Sequence, residues 1–412
     1  MACRVLVVHN AYQHRGGEDS VVEAEISLLR SRGHAVETYF RSNDDVGSIP
    51  PLALVRQTLW SDRTPHHLAE LIRRFQPDVI HAHNTFPLIS PSLYWAAGVP
   101  VVQTLHNFRL MCLNALFLRD GKVCEDCMGH LPWRGVARAC YRGSHAASAA
   151  LAGMLTLHRR LGTYQNKVAR YIALNEFCRG KFIEGGLPAE RVVVKPNFVD
   201  WDEAFPHPNP DETTKQLTKP ASGQVTAYLP GGEGQRKGLL FVGRLSAEKG
   251  VATLAEAMAL LPDAALRVAG DGPEAGLLDG VAGVSRLGSL PGAAVRAEMG
   301  RAAALVVPSI WYETFGLVVI EAFACGTPVI ASRIGALADI VRDGETGLLF
   351  EPDNPRDLAD KMAWALSHPE QMAAMGRTAR AQYEAEFSAE VNYRRLMEIY
   401  AGVLAGRREH VQ

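Results

Sequence analysis

Two glutamates eight positions apart, Glu313 and Glu321, flank a glycine in the stretch PSIWYETFGLVVIEAFACGTP at residues 308–328. Carboxylates accept charge-assisted hydrogen bonds. A pair of them beside a phosphate site suits hydroxyl groups, one gripping a ribose and the other a sugar ring. The phosphate site is expected from the backbone: Thr314, Phe315, Gly316 and Leu317 stand where a helix begins, so their N–H groups face an anion at a helix N-terminus. Glu321 then lies about one and a half turns inside that helix, and Glu313 just before it. The plain alternative is a helix cap followed by a surface glutamate.

Such residues need elements to position them. An apolar run at 302–307 predicts a strand before the loop, Gly326 and Pro328 end the helix, and 329–331 predicts the next strand. This order places the loop at the carboxyl edge of a sheet, where open α/β sheets bind ligands. A second turn after an apolar strand, FVGRLSAEKG at 241–250, carries Gly243, Arg244 and Lys249. Glycine lets backbone approach a ligand closely, and the two cations neutralise a diphosphate; a strand-to-helix turn with surface cations is the plain reading. LRVAGDGPE at 266–274, with Gly272, and RLGSL at 286–290 end further strands, where turn chemistry alone is an equal account. In the first half, HNAYQHRGGED at 9–19 reads as a polar loop in which Gly16 and Gly17 lead to a helix. His81, His83 and Asn84 end one strand, and His106 and Asn107 another; a histidine at such a place is more often structural than catalytic.

The wider pattern alternates strand and helix: strand 4–8, helix 18–32, strand 78–82, helix 91–97, strand 99–105, strand 171–174, helix 177–184 and strand 192–194. That alternation predicts a parallel sheet covered by helices. Residues 110–145 break the rhythm as an irregular, cysteine-bearing insertion in a first domain of residues 1–200. Residues 201–236, rich in Pro, Thr, Gly and charge, read as a linker; a second α/β series fills 237–385, and 386–412 holds a closing helix.

Composition narrows the class. The 412 residues carry 43 Lys plus Arg against 44 Asp plus Glu, so no global basic field argues for nucleic acid. No run of about 18 apolar residues occurs, and MACRVLVVHNAYQ lacks the pattern of a signal peptide. Seven cysteines, an odd number, fit a reducing compartment, so a cytoplasmic enzyme is expected. Cys112, Cys124, Cys127 and Cys140 lie in the insertion. Their C-x2-C pair fits a zinc knuckle completed by the two outer thiolates, and equally a redox pair or free thiols. Cys3, Cys178 and Cys325 read as small buried residues. Residues 151–170 read as a basic amphipathic helix, which either packs on the sheet or lies on an anionic membrane.

Taken together, WYETFG, EAFACGTPVIAS and the GR-L-x-x-EKG turn resemble the E-x7-E signature of retaining glycosyltransferases of family 4. The cysteine-bearing segment after HN-R resembles that of capsule- and lipopolysaccharide-type members. The likeness covers nearly the whole chain outside the linker and is most specific over 243–347. It implies an α/β GT-B architecture: two doubly wound parallel-sheet domains facing a cleft, with the last helix crossing back to the first. It also implies transfer of a hexosyl unit from a UDP- or GDP-linked sugar to a glycan or lipid-linked acceptor, with no metal or cofactor required for catalysis. By the same resemblance Arg244 and Lys249 hold the donor pyrophosphate, His106 and Glu313 act at the sugar, and Glu321 sits on the donor side. Gly16, Gly17, Gly243, Gly272, Asn197, Thr314, Phe315, Gly316 and Leu317 line the donor site. Asn197 falls in KPNFVD, where Phe198 replaces the glycine of the family's PNG-V-D segment. The insertion would wall the acceptor side, and lipid-linked acceptors would bring the chain to the inner face of a membrane. No DxD motif stands in a metal-binding setting and no residue stands out as a covalent nucleophile; the resemblance implies front-face retaining transfer in which the leaving phosphate helps take the acceptor proton. A nucleotide-sugar epimerase, a sugar phosphorylase lacking a clear pyridoxal lysine, and a zinc-stabilised nucleotide-binding assembly protein are the competing readings.

Overall fold

The computed structural model describes residues 2–13, 16–200 and 236–409. The linker expected at 201–236 therefore lies, except for Arg236, outside the described residues. The described chain divides into two units: one reaches Asn197 and also takes in Trp311–Phe315 and the segment from Glu390, and the other comprises Phe198–Ile310 and Gly316–Ala389.

The first unit is built on a six-stranded parallel sheet. Its strands are β1 (Arg4–Ala11), β2 (Ala35–Ser42), β3 (Val79–Ala82), β4 (Val101–Thr104), β5 (Arg170–Ala173) and β6 (Val192–Val194), in the order β2-β1-β3-β4-β5-β6. The order reverses direction between β1 and β3, which places a ligand crevice at their carboxyl ends. Val5, Leu6, Val7 and Val8 are buried, as a strand covered on both faces requires. Leu6, Val8 and Ile80 join one core with Phe108, Phe117 and Leu155. Val5, Val7 and Val102 join the other with Val22, Ile26 and Leu29 of α1 (Gly17–Ser31) and with Leu396, Tyr400 and Val403 of the closing helix Ala389–Glu409.

Three local expectations are corrected. β1 runs to Ala11 rather than ending at Val8, because His9, Asn10 and Ala11 stay in register with Phe40, Arg41 and Ser42 of β2. Residues 35–75, which fall outside the expected strands and helices, hold β2 and the helices Pro51–Leu59 and Arg63–Phe75. The basic helix is α2 (His145–Arg160), not 151–170; it stops before Gly162, which takes a positive φ of 65°, and Arg170 belongs to β5. Its Leu151, Met154 and Leu155 are buried in the first core, while Leu157 and Leu161 face outward.

The second unit repeats the plan. β7 (Leu239–Val242), β8 (Leu266–Ala269), β9 (Val284–Gly288), β10 (Ala304–Val307), β11 (Val329–Ser332) and β12 (Gly347–Phe350) form a parallel sheet in the order β9-β8-β7-β10-β11-β12. Here the order reverses between β7 and β10, so the turns after those two strands define the crevice. Among the described residues no helix is long and apolar enough to cross a membrane.

Candidate active site

In the second unit the site is made by backbones touching. After β7 come Gly243, Arg244 and a 3₁₀ turn Ala247–Lys249, and Gly250 follows with φ 71°. A Cβ on Gly250 would stand 1.9 Å from the carbonyl oxygen of Pro308, in the loop after β10. The amide of Ile310 donates to the carbonyl of Glu248, closing the two loops on each other. Gly270, at the end of β8, has φ 142° and no room for a Cβ, which would meet the Gly243 carbonyl at 1.9 Å. Gly272 is packed against Leu245 in the same way, at 2.3 Å. Glycine is thus required sterically at the point where three strand ends converge.

Arg244 is exposed and, among the described residues, makes no ion pair; Lys249 is half-buried. Gly316 caps α3 (Leu317–Ala324) in the left-handed region at φ 78°, leaving the first amides of that helix directed toward its open end. Glu321 lies one turn in. Burial pushes its carboxyl up to about 7, with Arg296 pulling the other way.

The pentapeptide Trp311–Phe315 belongs to the first unit, a placement the strand–loop–helix reading did not anticipate. The carbonyl of Thr314 accepts from Asn175 Nδ2 at 2.7 Å, and Thr314 Oγ1 donates to the His106 carbonyl at 2.7 Å. Tyr312 packs edge-on to Phe177, centroids 4.8 Å apart. Glu313 and Phe315 are buried between these anchors. Thr314 and Phe315 are therefore held by tertiary contacts, whereas Gly316 and Leu317 begin the helix.

His106, just beyond β4, ends a buried chain of polar groups. Its Nε2 shares a 2.9 Å hydrogen bond with His83 Nδ1. His83 Nε2 stands 3.6 Å from Glu25 Oε1, which also lies 2.9 Å from His81 Nδ1. Glu25 Oε2 accepts from Lys195 Nζ at 3.0 Å, and Lys195 also donates to Asn392 Oδ1 of the closing helix. His81 completes the chain through Tyr400 and Thr104. Burial favours a neutral Glu25, but Lys195 and then His81 outweigh it and hold the carboxyl well below its usual range. Burial first, then neighbouring His81, pushes His83 well down, and burial lowers His106 to about 3. His106 is consequently a neutral hydrogen-bonding imidazole at physiological pH. Glu25, His81 and His83 have ligand atoms within 4.8 Å of one another, yet Lys195 already supplies their cation.

The glycine pair is arranged differently from a tight turn. Gly16 caps α1 in extended backbone, its amide donating to Asp19 Oδ2 at 2.9 Å, and a Cβ there would touch nothing within 4 Å. Asp19 also pairs with buried His9 at 2.9 Å. Beyond Gly17 stands Glu18, which the sequence did not single out. It accepts from Tyr12 Oη at 2.9 Å and Asn107 Nδ2 at 3.3 Å, while its Oε1 is enclosed without a partner. Burial raises its carboxyl to about 7, the Tyr12 hydrogen bond opposing. With His83, Asn84, His106, Asn107 and Arg109 it lines a cavity of about 40 Å³. Asn197 is buried with its Oδ1 unpartnered, and Phe198, at the family's glycine position, is buried as well.

The four insertion cysteines converge: Cys112, Cys124, Cys127 and Cys140 line one small cavity, and none forms a disulfide. Cys3, Cys178 and Cys325 are buried singly elsewhere.

Two doubly wound parallel sheets, each with its ligand loops at a topological switch point, define a GT-B-type protein. Comparison with known proteins gives the family. Residues 15–203 match the model of Glycosyltransferase Family 4, and residues 231–382 that of Glycosyl transferases group 1. The glycogen synthase of Mycobacterium tuberculosis is 34% identical over 354 residues, 82% of this chain and 72% of that protein. The sulfoquinovosyl transferase SQD2 of Arabidopsis thaliana is 34% identical over 170 residues, 40% of this chain and only 33% of its own length. The Anabaena protein Alr3699/HepE, solved with UDP and glucose, matches 97% of this chain and 100% of its own with a TM-score of 0.62; at 17% identity that likeness shows the fold. The chain belongs to the family 4, group 1 glycosyltransferases.

Proposed function

We propose that the protein is a retaining, metal-independent hexosyltransferase that moves a sugar from a UDP- or GDP-linked donor to a glycan or lipid-linked acceptor in surface polysaccharide or glycolipid synthesis. The observation that carries the donor half is the glycine-built junction of Gly243, Gly250 and Gly270, which sets Arg244 and Lys249 at the switch point of the second sheet. Backbone amides at the start of α3 and these two cations would take the diphosphate charge as the bond from the anomeric carbon to phosphate oxygen breaks. In this reading Glu321, in α3, accepts the ribose hydroxyls.

The first unit supplies the acceptor half in this reading. Neutral His106, fixed by His83, hydrogen-bonds a sugar hydroxyl, and Glu18, which lines the same cavity, orients the acceptor hydroxyl in this reading. The new bond from acceptor oxygen to the anomeric carbon forms on the face the phosphate leaves, and the acceptor proton passes to that phosphate. Membrane contact rests on the outward Leu131, Trp133, Leu157 and Leu161, which stand near Arg134 and Arg160 around α2.

The deciding experiment is a thermal-shift panel of UDP, GDP, ADP and their sugar conjugates, with EDTA and again with magnesium. One base class should raise the melting temperature in EDTA, a ligand at about 100 times its Kd adding roughly 2.7 kcal/mol. No shift from any nucleotide would remove the transferase reading in favour of a non-catalytic assembly protein. A shift seen only with magnesium would remove the metal-independent site.

A further inference from the structure

The insertion between β4 and α2 is held in a shape that its own secondary structure does not explain. Between Leu105 and Ser144 it contains one hairpin of two-residue strands, Leu118–Arg119 with Lys122–Val123, and one five-residue helix, Trp133–Ala137. Among the described residues, five of the eight non-glycine residues with positive φ lie here: Ala115, Phe117, Asp120, Ala139 and Arg142. Each such residue opposes folding and persists only when its surroundings over-determine it. Two of them flank Cys140, and Gly129, also at positive φ, follows the Cys124–Cys127 turn.

All four thiols of the insertion arrive at one place. Cys112, Cys124, Cys127 and Cys140 come from positions spread over 29 residues and line a cavity of about 20 Å³. That is room for a single water-sized occupant. We propose that this cavity is a structural zinc site with the four cysteines as ligands. Zinc in such sites is tetrahedral, closed and held by thiolates at about 2.3 Å. Four thiolates on a divalent ion leave a net double negative charge, and the guanidinium-bearing Arg119 and Arg138 line the same cavity. Their carboxylate partners, Asp120 and Asp126, are on the insertion too, so either arginine can turn from its carboxylate toward the sulfurs. Among the described residues no three cysteine sulfurs lie within 4.8 Å of one another. Metal binding therefore draws them inward, and a change of cysteine rotamer is the motion that does so. The ion cross-links the start, middle and end of the insertion and so supplies the constraint that the irregular backbone lacks. Its charge is structural, with no open coordination position for chemistry.

The test uses the full chain purified from zinc-supplemented cells without chelator. Metal content is measured by mass spectrometry, and a mercurial reagent is used to release the metal. The expected result is about one zinc per chain, freed in step with modification of four thiols. Cobalt(II) loading of the wild type should give the sulfur-to-metal charge-transfer and intense visible bands of a tetrahedral thiolate site. The double variant Cys124→Ser/Cys127→Ser should lose at least nine-tenths of the metal, whereas Cys3→Ser and Cys325→Ser should keep it. If the double variant does not fold, the wild-type cobalt spectrum decides alone. Wild-type protein free of zinc and without thiolate bands in cobalt overturns the proposal. So does undiminished zinc in a folded double variant, which would place the metal elsewhere. Nucleotide shifts are read separately, so either outcome leaves the transferase reading to its own test.

Discussion

The sites of the two units use opposite materials. In the second unit, Gly250 and Gly270 bring loops into backbone contact and leave Arg244 exposed above them. In the first, buried polar side chains adjoin in series: Lys195 bonds Glu25, Glu25 approaches His83 at 3.6 Å, and His83 bonds His106. A backbone-built site tolerates changes of charge but not of volume. A network-built site tolerates little change in polarity, because each buried polar group depends on its neighbour.

The sharpest break of that contrast is Lys195→Met, which leaves Glu25 buried without its strongest partner. The expected loss is about 3–5 kcal/mol in urea unfolding, and Lys195→Met combined with Glu25→Gln should recover much of it. A loss below about 1 kcal/mol would show that the network does not bear on stability. The glycine counterpart is Gly250→Ala, where the added Cβ meets the Pro308 carbonyl and φ is positive. Roughly 2–4 kcal/mol should be lost, and the response to nucleotide with it. A stable variant with unchanged nucleotide shift would mean that the loop contact is not needed.

Changing charge on the exposed side should spare the fold. Arg244→Ala and Lys249→Ala are expected to weaken nucleoside diphosphate binding by about 1.5–3 kcal/mol each in titration calorimetry. Unchanged affinity in both would sink the diphosphate assignment.

The smallest effect is one of pH. Glu321 is protonated in the folded chain below about 7, against an ordinary 4.5, so its burial favours folding least when it is ionised. Relative stability contributed by this group is full below 4.5 and lost as pH rises through about 7. Hydroxyls that donate to the carboxylate favour the ionised form, so nucleotide affinity should rise with pH through the same window. Glu321→Gln should flatten the binding slope; a slope that survives the substitution would point to the nucleotide's own phosphate.

How much of this was readable beforehand differs by element. Apolar runs such as LLFV in β7 and VVV in β6 announce strands because each is covered on both faces. Edge strand β2, AVETYFRS, is mixed in burial and carries no such signal. The E-x7-E stretch, the EKG turn and the C-x2-C pair were legible because their chemistry sits within a few residues. Glu18 was overlooked beside the glycine pair, since nothing local says that its Oε1 is enclosed.

By itself the sequence determined the two parallel-sheet halves, the strand ends that carry glycine and cation, and the spacing of Glu313 and Glu321. Those follow from periodicity and local backbone chemistry, which act over one turn or one strand. Tertiary structure alone decided that Trp311–Phe315 packs with Asn175 and His106, and that Glu25 meets Lys195 across 170 positions. It alone drew Cys112 and Cys140 to one cavity. These pairings depend on which faces the packed cores bring together, and burial then fixes the protonation of the groups enclosed, a property that belongs to the folded surroundings and to no residue alone.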